Sequence, residues 1–96
     1  MTVSDLLSFA RTIEGQELRT LTGGSPFHVE VDEDQLVYHS AKGTAPSARH
    51  ESRISLAETV AQFSHTRSLR PSHYRHFSIN AAYTLVLIQL YVKAGV

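Results

Sequence analysis

Between His65 and His76 the chain carries three arginines, three histidines and a tyrosine (Arg67, Arg70, Arg75, His65, His73, His76 and Tyr74), with no acid among them. A guanidinium offers two parallel N–H donors that match two oxygens of a phosphate or carboxylate, so this cluster reads as an anion contact. Tyr74 adds a ring that could stack on a base. Arg49 and Arg53, and Lys42 before them, extend the basic set if their strand lies alongside. The expectation is a nucleic-acid or other polyanion surface built from Arg49, Arg53, Arg67, Arg70, Arg75, Tyr74, His73 and His76. The competing reading is a solvated loop whose arginines pair with acids elsewhere in the fold.

Two other chemistries use the same residues. Imidazoles and guanidinium groups at His73, His76, Arg70 and Arg75 suit a metal-independent ribonuclease, in which imidazole moves a proton and arginine steadies the phosphorane. His73-x-x-His76 has helical ligand spacing for zinc, but the usual cysteines are missing and no flanking carboxylate is evident, so no metal is expected. The cross-strand pair His28 and His39, with Glu30 nearby, is a second candidate for metal or pH sensing; it reads rather as the solvated face of a hairpin, or the face on which a helix rests. Gly23-Gly24-Ser25 lacks the lysine and helix of a phosphate loop, and no cofactor is expected.

Charge is segregated along the chain. Residues 1–41 hold Asp5, Glu14, Glu17, Glu30, Asp32, Glu33 and Asp34 against Arg11 and Arg19. Residues 42–96 hold Lys42, Arg49, Arg53, Arg67, Arg70, Arg75 and Lys93 against Glu51 and Glu58, so an acidic and a basic half cancel. That pattern fits an acidic partner, a nucleic acid, or attraction between the halves themselves.

These residues need positioning elements. Val3, Leu6, Leu7, Ala10 and Ile13 recur at helical spacing behind Thr2-x-x-Asp5, the form of a capping box, and Gly15 ends the helix. Gln16–Thr22 reads as a short strand. Phe27, Val29 and Val31 alternate with His28 and Glu30, and LVYHS follows a DEDQ turn. Pairing Val31 with Leu36 sets Glu30 against Val37, Val29 against Tyr38 and His28 against His39, which gathers Phe27, Val29, Val31, Leu36 and Tyr38 on one face. Arg49–Ile54 reads as a further strand, and Ser55 with Glu58 as the box opening a helix over about residues 56–64. Ser78 is the expected cap of a last helix running to about Lys93, apolar on nearly every side.

The expected fold is therefore α+β: an N-terminal helix, a small antiparallel sheet of three or four strands, and two C-terminal helices packed on one face. Its expected core is Leu6, Leu7, Ala10, Ile13, Phe27, Val29, Val31, Leu36, Tyr38, Ile54, Val60, Phe63, Tyr83, Val86, Leu87 and Leu90. Ninety-six residues is a one-domain length, and 42% apolar content with 19% charge is globular rather than disordered. The apolar excess of residues 79–93 supports an alternative function, a protein-interaction or homo-oligomerisation module using that helix, with a homodimer through residues 79–93. With no cysteine, no basic apolar leader and no 20-residue apolar run, the expectation is a cytoplasmic protein without a membrane span.

Overall fold

The hairpin is the organising unit. In a computed structural model, which describes residues 1–21, 23–40 and 48–95, Val31 pairs with Leu36, Glu30 with Val37, Val29 with Tyr38 and His28 with His39. A one-residue slip would turn Phe27, Val29, Leu36 and Tyr38 to the other face, and the two-residue loop fixes the register that buries them together. The turn is tighter than the DEDQ reading, because Asp32 pairs with Gln35 and leaves Glu33 and Asp34 as the loop. Glu33 takes φ 57°, a left-handed conformation that disfavours a side chain. Arg11 Nη2 holds the turn from outside by donating to the Glu33 carbonyl at 3.1 Å.

Around the hairpin the order is α1 (Val3–Thr12), β1 (Leu18–Arg19), β2 (Pro26–Asp32), β3 (Gln35–Ser40), β4 (Ala48–Glu51), α2 (Arg53–Thr66), a single 3-10 turn (Pro71–Tyr74) and α3 (Ala81–Lys93). The four strands lie in sequence order, each antiparallel to the next. Thr2 caps α1 in the expected way: its Oγ1 accepts from the Asp5 N–H, and the Thr2 N–H donates to Asp5 Oδ2, both at 3.0 Å. The backbone bond from Thr2 is the main reason the Asp5 carboxyl sits below its ordinary range.

One core joins the sheet to the helices. Leu6 and Ala10 of α1, Leu56, Val60 and Phe63 of α2, and Leu85, Leu87 and Ile88 of α3 pack with Phe27, Leu36 and Tyr38. Tyr83 stacks on the Tyr38 ring at 5.2 Å and meets Phe27 edge-on at 4.8 Å, so α3 crosses the hairpin. The chain itself encloses most of the apolar surface of α3: Leu85, Val86, Leu87 and Ile88 are all buried. Part of the apolar excess of residues 79–93 stays at the surface, with Ile79 85% and Val92 48% exposed.

The segment around residue 52 differs from the strand expectation. β4 stops at Glu51, and α2 begins at Arg53 with Ser52 as its cap, whose side chain accepts from the Ser55 N–H. Ser55 is therefore the third helical residue, not the cap. Helical geometry turns Ile54 away from the Leu56–Val60–Phe63 stripe, leaving the side chain 74% exposed instead of in the core. The last helix also starts later than expected. Ser78 Oγ donates to Glu51 and accepts from the Asn80 N–H at 3.3 Å, closing a turn before the helix, and α3 opens at Ala81 behind Asn80, which makes no side-chain capping bond.

A candidate anion-facing junction

Glu51 is the one acid of β4, and it is 2% exposed. It pairs with Leu36, so alternation points it into the helix-covered face of the sheet. A carboxylate buried without partners would cost several kcal/mol. Here hydroxyls supply the partners. Ser78 Oγ donates to Oε2 at 2.6 Å, Thr84 Oγ1 donates to the same oxygen at 3.1 Å, and Ser55 Oγ donates to Oε1. Thr84 has one proton and gives it to Glu51, so the Tyr38 hydroxyl is the donor in its 2.5 Å bond to Thr84. Burial then holds the Tyr38 phenol far above its ordinary range, and the nearby Glu51 charge adds to the effect.

These bonds place the start of α2 and the approach to α3 side by side. The carboxylate is thus held by hydroxyls from the first turns of α2 and α3 and from Ser78, without a cation among the described residues. Asn80 closes the outer edge of β4, donating from Nδ2 to the His50 carbonyl at 3.1 Å. Its Oδ1 is buried and lacks a hydrogen-bond partner.

The basic residues distribute unevenly about this junction. Arg49 and Arg53 flank Glu51 in the chain, both exposed, and the Arg49 guanidinium lies 6.0 Å from the Tyr83 ring centre. Arg75 borders a groove of about 320 Å³ whose other walls are Pro71, Ser78, Ile79, Ala81 and Ala82. Arg70 precedes Pro71 and is exposed. Arg67 is separate. It caps the far end of the 14-residue α2 in a left-handed conformation, φ 57°, with its guanidinium 5.4 Å from the Phe63 ring centre. A helix of that length puts it roughly 20 Å from Arg53. Lys42 falls outside the described residues. Among the described residues the ion pairs are Arg19–Glu17 and His39–Glu30, so none of these five arginines is locked onto a carboxylate.

Tyr74 does not serve as a stacking platform. Its ring is fully buried, its hydroxyl donates to the Ser68 carbonyl at 2.6 Å, and it meets Phe77 edge-on at 6.0 Å. The residue anchors the proline-centred connection to the core, and desolvation raises its phenol pKa. His73 is exposed, with Nδ1 hydrogen-bonded to Ser68 Oγ; His76 is exposed beyond the 3-10 turn. His28 and His39 stack at 4.8 Å with planes 13° apart. Imidazole lone pairs lie in the ring plane, so two parallel rings do not aim at a common ion. Among the described residues no group of three or more histidines, cysteines, aspartates or glutamates could hold a metal.

Sequence reasoning missed two features of the junction: the hydroxyl set around Glu51, and two bare isoleucines beside it. Ile54 is 74% and Ile79 85% exposed. A lone acid ending a strand, followed by Ser-x-x-Ser, was the available signal for the first. Among the described residues no helix is long and apolar enough to cross a membrane. Comparison with protein-family models, curated proteins and solved structures finds no match to this chain.

Proposed function

We propose that the chain is a small binding module for an anionic macromolecule, with Arg49, Arg53 and Arg75 as its principal contacts and Arg70 beside them. The single observation that carries this reading is their exposure around one junction with no carboxylate partner among the described residues. A guanidinium left free at a surface retains both donors for a bidentate contact with phosphate or carboxylate oxygens. Phosphates of a nucleic acid are one form such a partner takes. Tyr74 has no part in this reading, and Arg67 contributes only to a partner long enough to follow α2.

The test is binding against salt. A labelled duplex contacted by three arginines should lose affinity with a log–log slope near −2.7 in salt concentration. The triple charge reversal R49E/R53E/R75E should abolish association while R67E changes it little. If neither nucleic acid nor an acidic polypeptide associates at low salt, the reading fails.

A further inference from the structure

The arginine-bordered surface is not uniformly polar, and its apolar part has a shape. Pro71, Ala81 and Ala82 wall a concave groove, Ile79 stands at its edge 85% exposed, and Arg75 lies along the same rim. Ser78 at the groove and Ser55 on α2 bind opposite oxygens of the Glu51 carboxylate, so Ile54, next to Ser55, belongs to the same junction. Two exposed isoleucines and Arg49, Arg53 and Arg75 thus lie on the chain segments that the Glu51 bonds tie together. Interfaces between proteins combine these elements: an aliphatic side chain anchored in a pocket, with guanidinium groups around it. A concave groove of small side chains fits one aliphatic side chain of a protein, whereas a phosphate backbone offers the surface only charge.

Resting on the anionic-partner reading, we infer that the partner is an acidic protein segment with aliphatic anchors, one of which enters the groove between the 3-10 turn and α3. The charge of the rim selects carboxylates on either side of the anchor. Arg75 meets the carboxylate nearest the groove, and Arg53 and Arg49 meet those that follow towards β4. The groove's small side chains, Ala81 and Ala82, leave room for an isoleucine or leucine of the partner, and Ile79 covers its outer flank. Buried below, Glu51 fixes the spacing of the two helix ends without presenting its own charge to the segment.

Fluorescence anisotropy at low salt with three labelled probes tests this: a peptide of Asp-Asp-Ile-Glu repeats, a polyglutamate of equal charge, and a single-stranded oligothymidylate. The isoleucine-containing peptide should bind at least about tenfold more tightly than polyglutamate, which corresponds to a single well-placed aliphatic anchor. I79S should remove that difference and leave polyglutamate binding unchanged, whereas R75E should weaken both peptides. Ile79 is exposed, so its replacement leaves folding intact, and thermal unfolding of I79S confirms this. Equal binding of the two peptides, or tighter binding of the oligothymidylate that ignores I79S, overturns the inference while the anionic-partner reading stands. Association of none of the three overturns both.

Discussion

Ser78 gives its hydroxyl proton to Glu51 Oε2 at 2.6 Å, joining the end of β4 to the approach of α3 across 27 residues of chain. With Ser55 and Thr84 on the same carboxylate, it ties the first turns of two helices to the end of the strand. It also lets a charge sit in the interior without a cation.

Replacing Glu51 should therefore be severe. E51A strips the acceptor from Ser55, Ser78 and Thr84 at once, and buried hydroxyls left unsatisfied cost about 1–3 kcal/mol each before relaxation. The expected loss is roughly 3–5 kcal/mol, comparable to breaking other buried charged networks. S78A removes one bond to a charged group and should cost about 2 kcal/mol. Urea denaturation of the three proteins checks the ranking.

Ile54 provides a sharp contrast. As an inward strand residue it would lose more than 2 kcal/mol on change to serine. On the outer face of the first turn of α2, at 74% exposure, I54S should alter stability by no more than about 0.5 kcal/mol. A large loss would return residues 52–54 to the strand.

The left-handed Glu33 is a site for stabilisation. A non-glycine residue there gives up roughly 1–2 kcal/mol of backbone energy. Glycine recovers most of it while adding freedom to the unfolded chain. E33G should raise the melting temperature, with a net gain of about 0.5–1 kcal/mol. E33V should lower it.

Alkali should unfold the protein through its tyrosines. Burial raises the pKa of Tyr38 and of Tyr74 above their ordinary value of 10.0. A group whose folded pKa exceeds its unfolded one contributes stability that is complete below the unfolded value and is lost as pH rises beyond it. Stability should thus fall above about pH 10. Absorbance at 295 nm should show these two phenols ionising only together with loss of the helical signal. Y38F should make the alkaline limb shallower.

Acid works in the opposite sense on Asp5. Its carboxyl is held low by the bond from the Thr2 N–H, so its contribution is present above the unfolded pKa and disappears as pH falls through the folded one. The stability difference between the parent and D5N should shrink below about pH 4. Separately, T2A should cost about 1 kcal/mol at neutral pH through loss of the cap. Thermal unfolding across pH 2–7 measures both.

Local chemistry was readable wherever two nearby residues settled it. The Thr2–Asp5 box needs only residues three apart, and the hairpin register follows from Phe27, Val29, Val31, Leu36 and Tyr38, which a one-residue slip would turn to the other face. Charge segregation was equally plain, being a matter of counting. The junction was not. The sequence offered Ser55 as the cap of α2, yet the strand ends at Glu51 and Ser52 takes that place, while Ser55 turns its hydroxyl to the buried carboxylate. Tyr74 likewise reads as a surface ring from its basic neighbours, yet the core draws it inward because the Ser68 carbonyl satisfies its hydroxyl. Short-range patterns specify the helices and strands because neighbouring residues compete on equal terms in any context. A carboxylate assembled with hydroxyls from positions 55, 78 and 84 exists only after the chain has closed on itself. That closure also sets which arginines share a surface and which isoleucines stay bare.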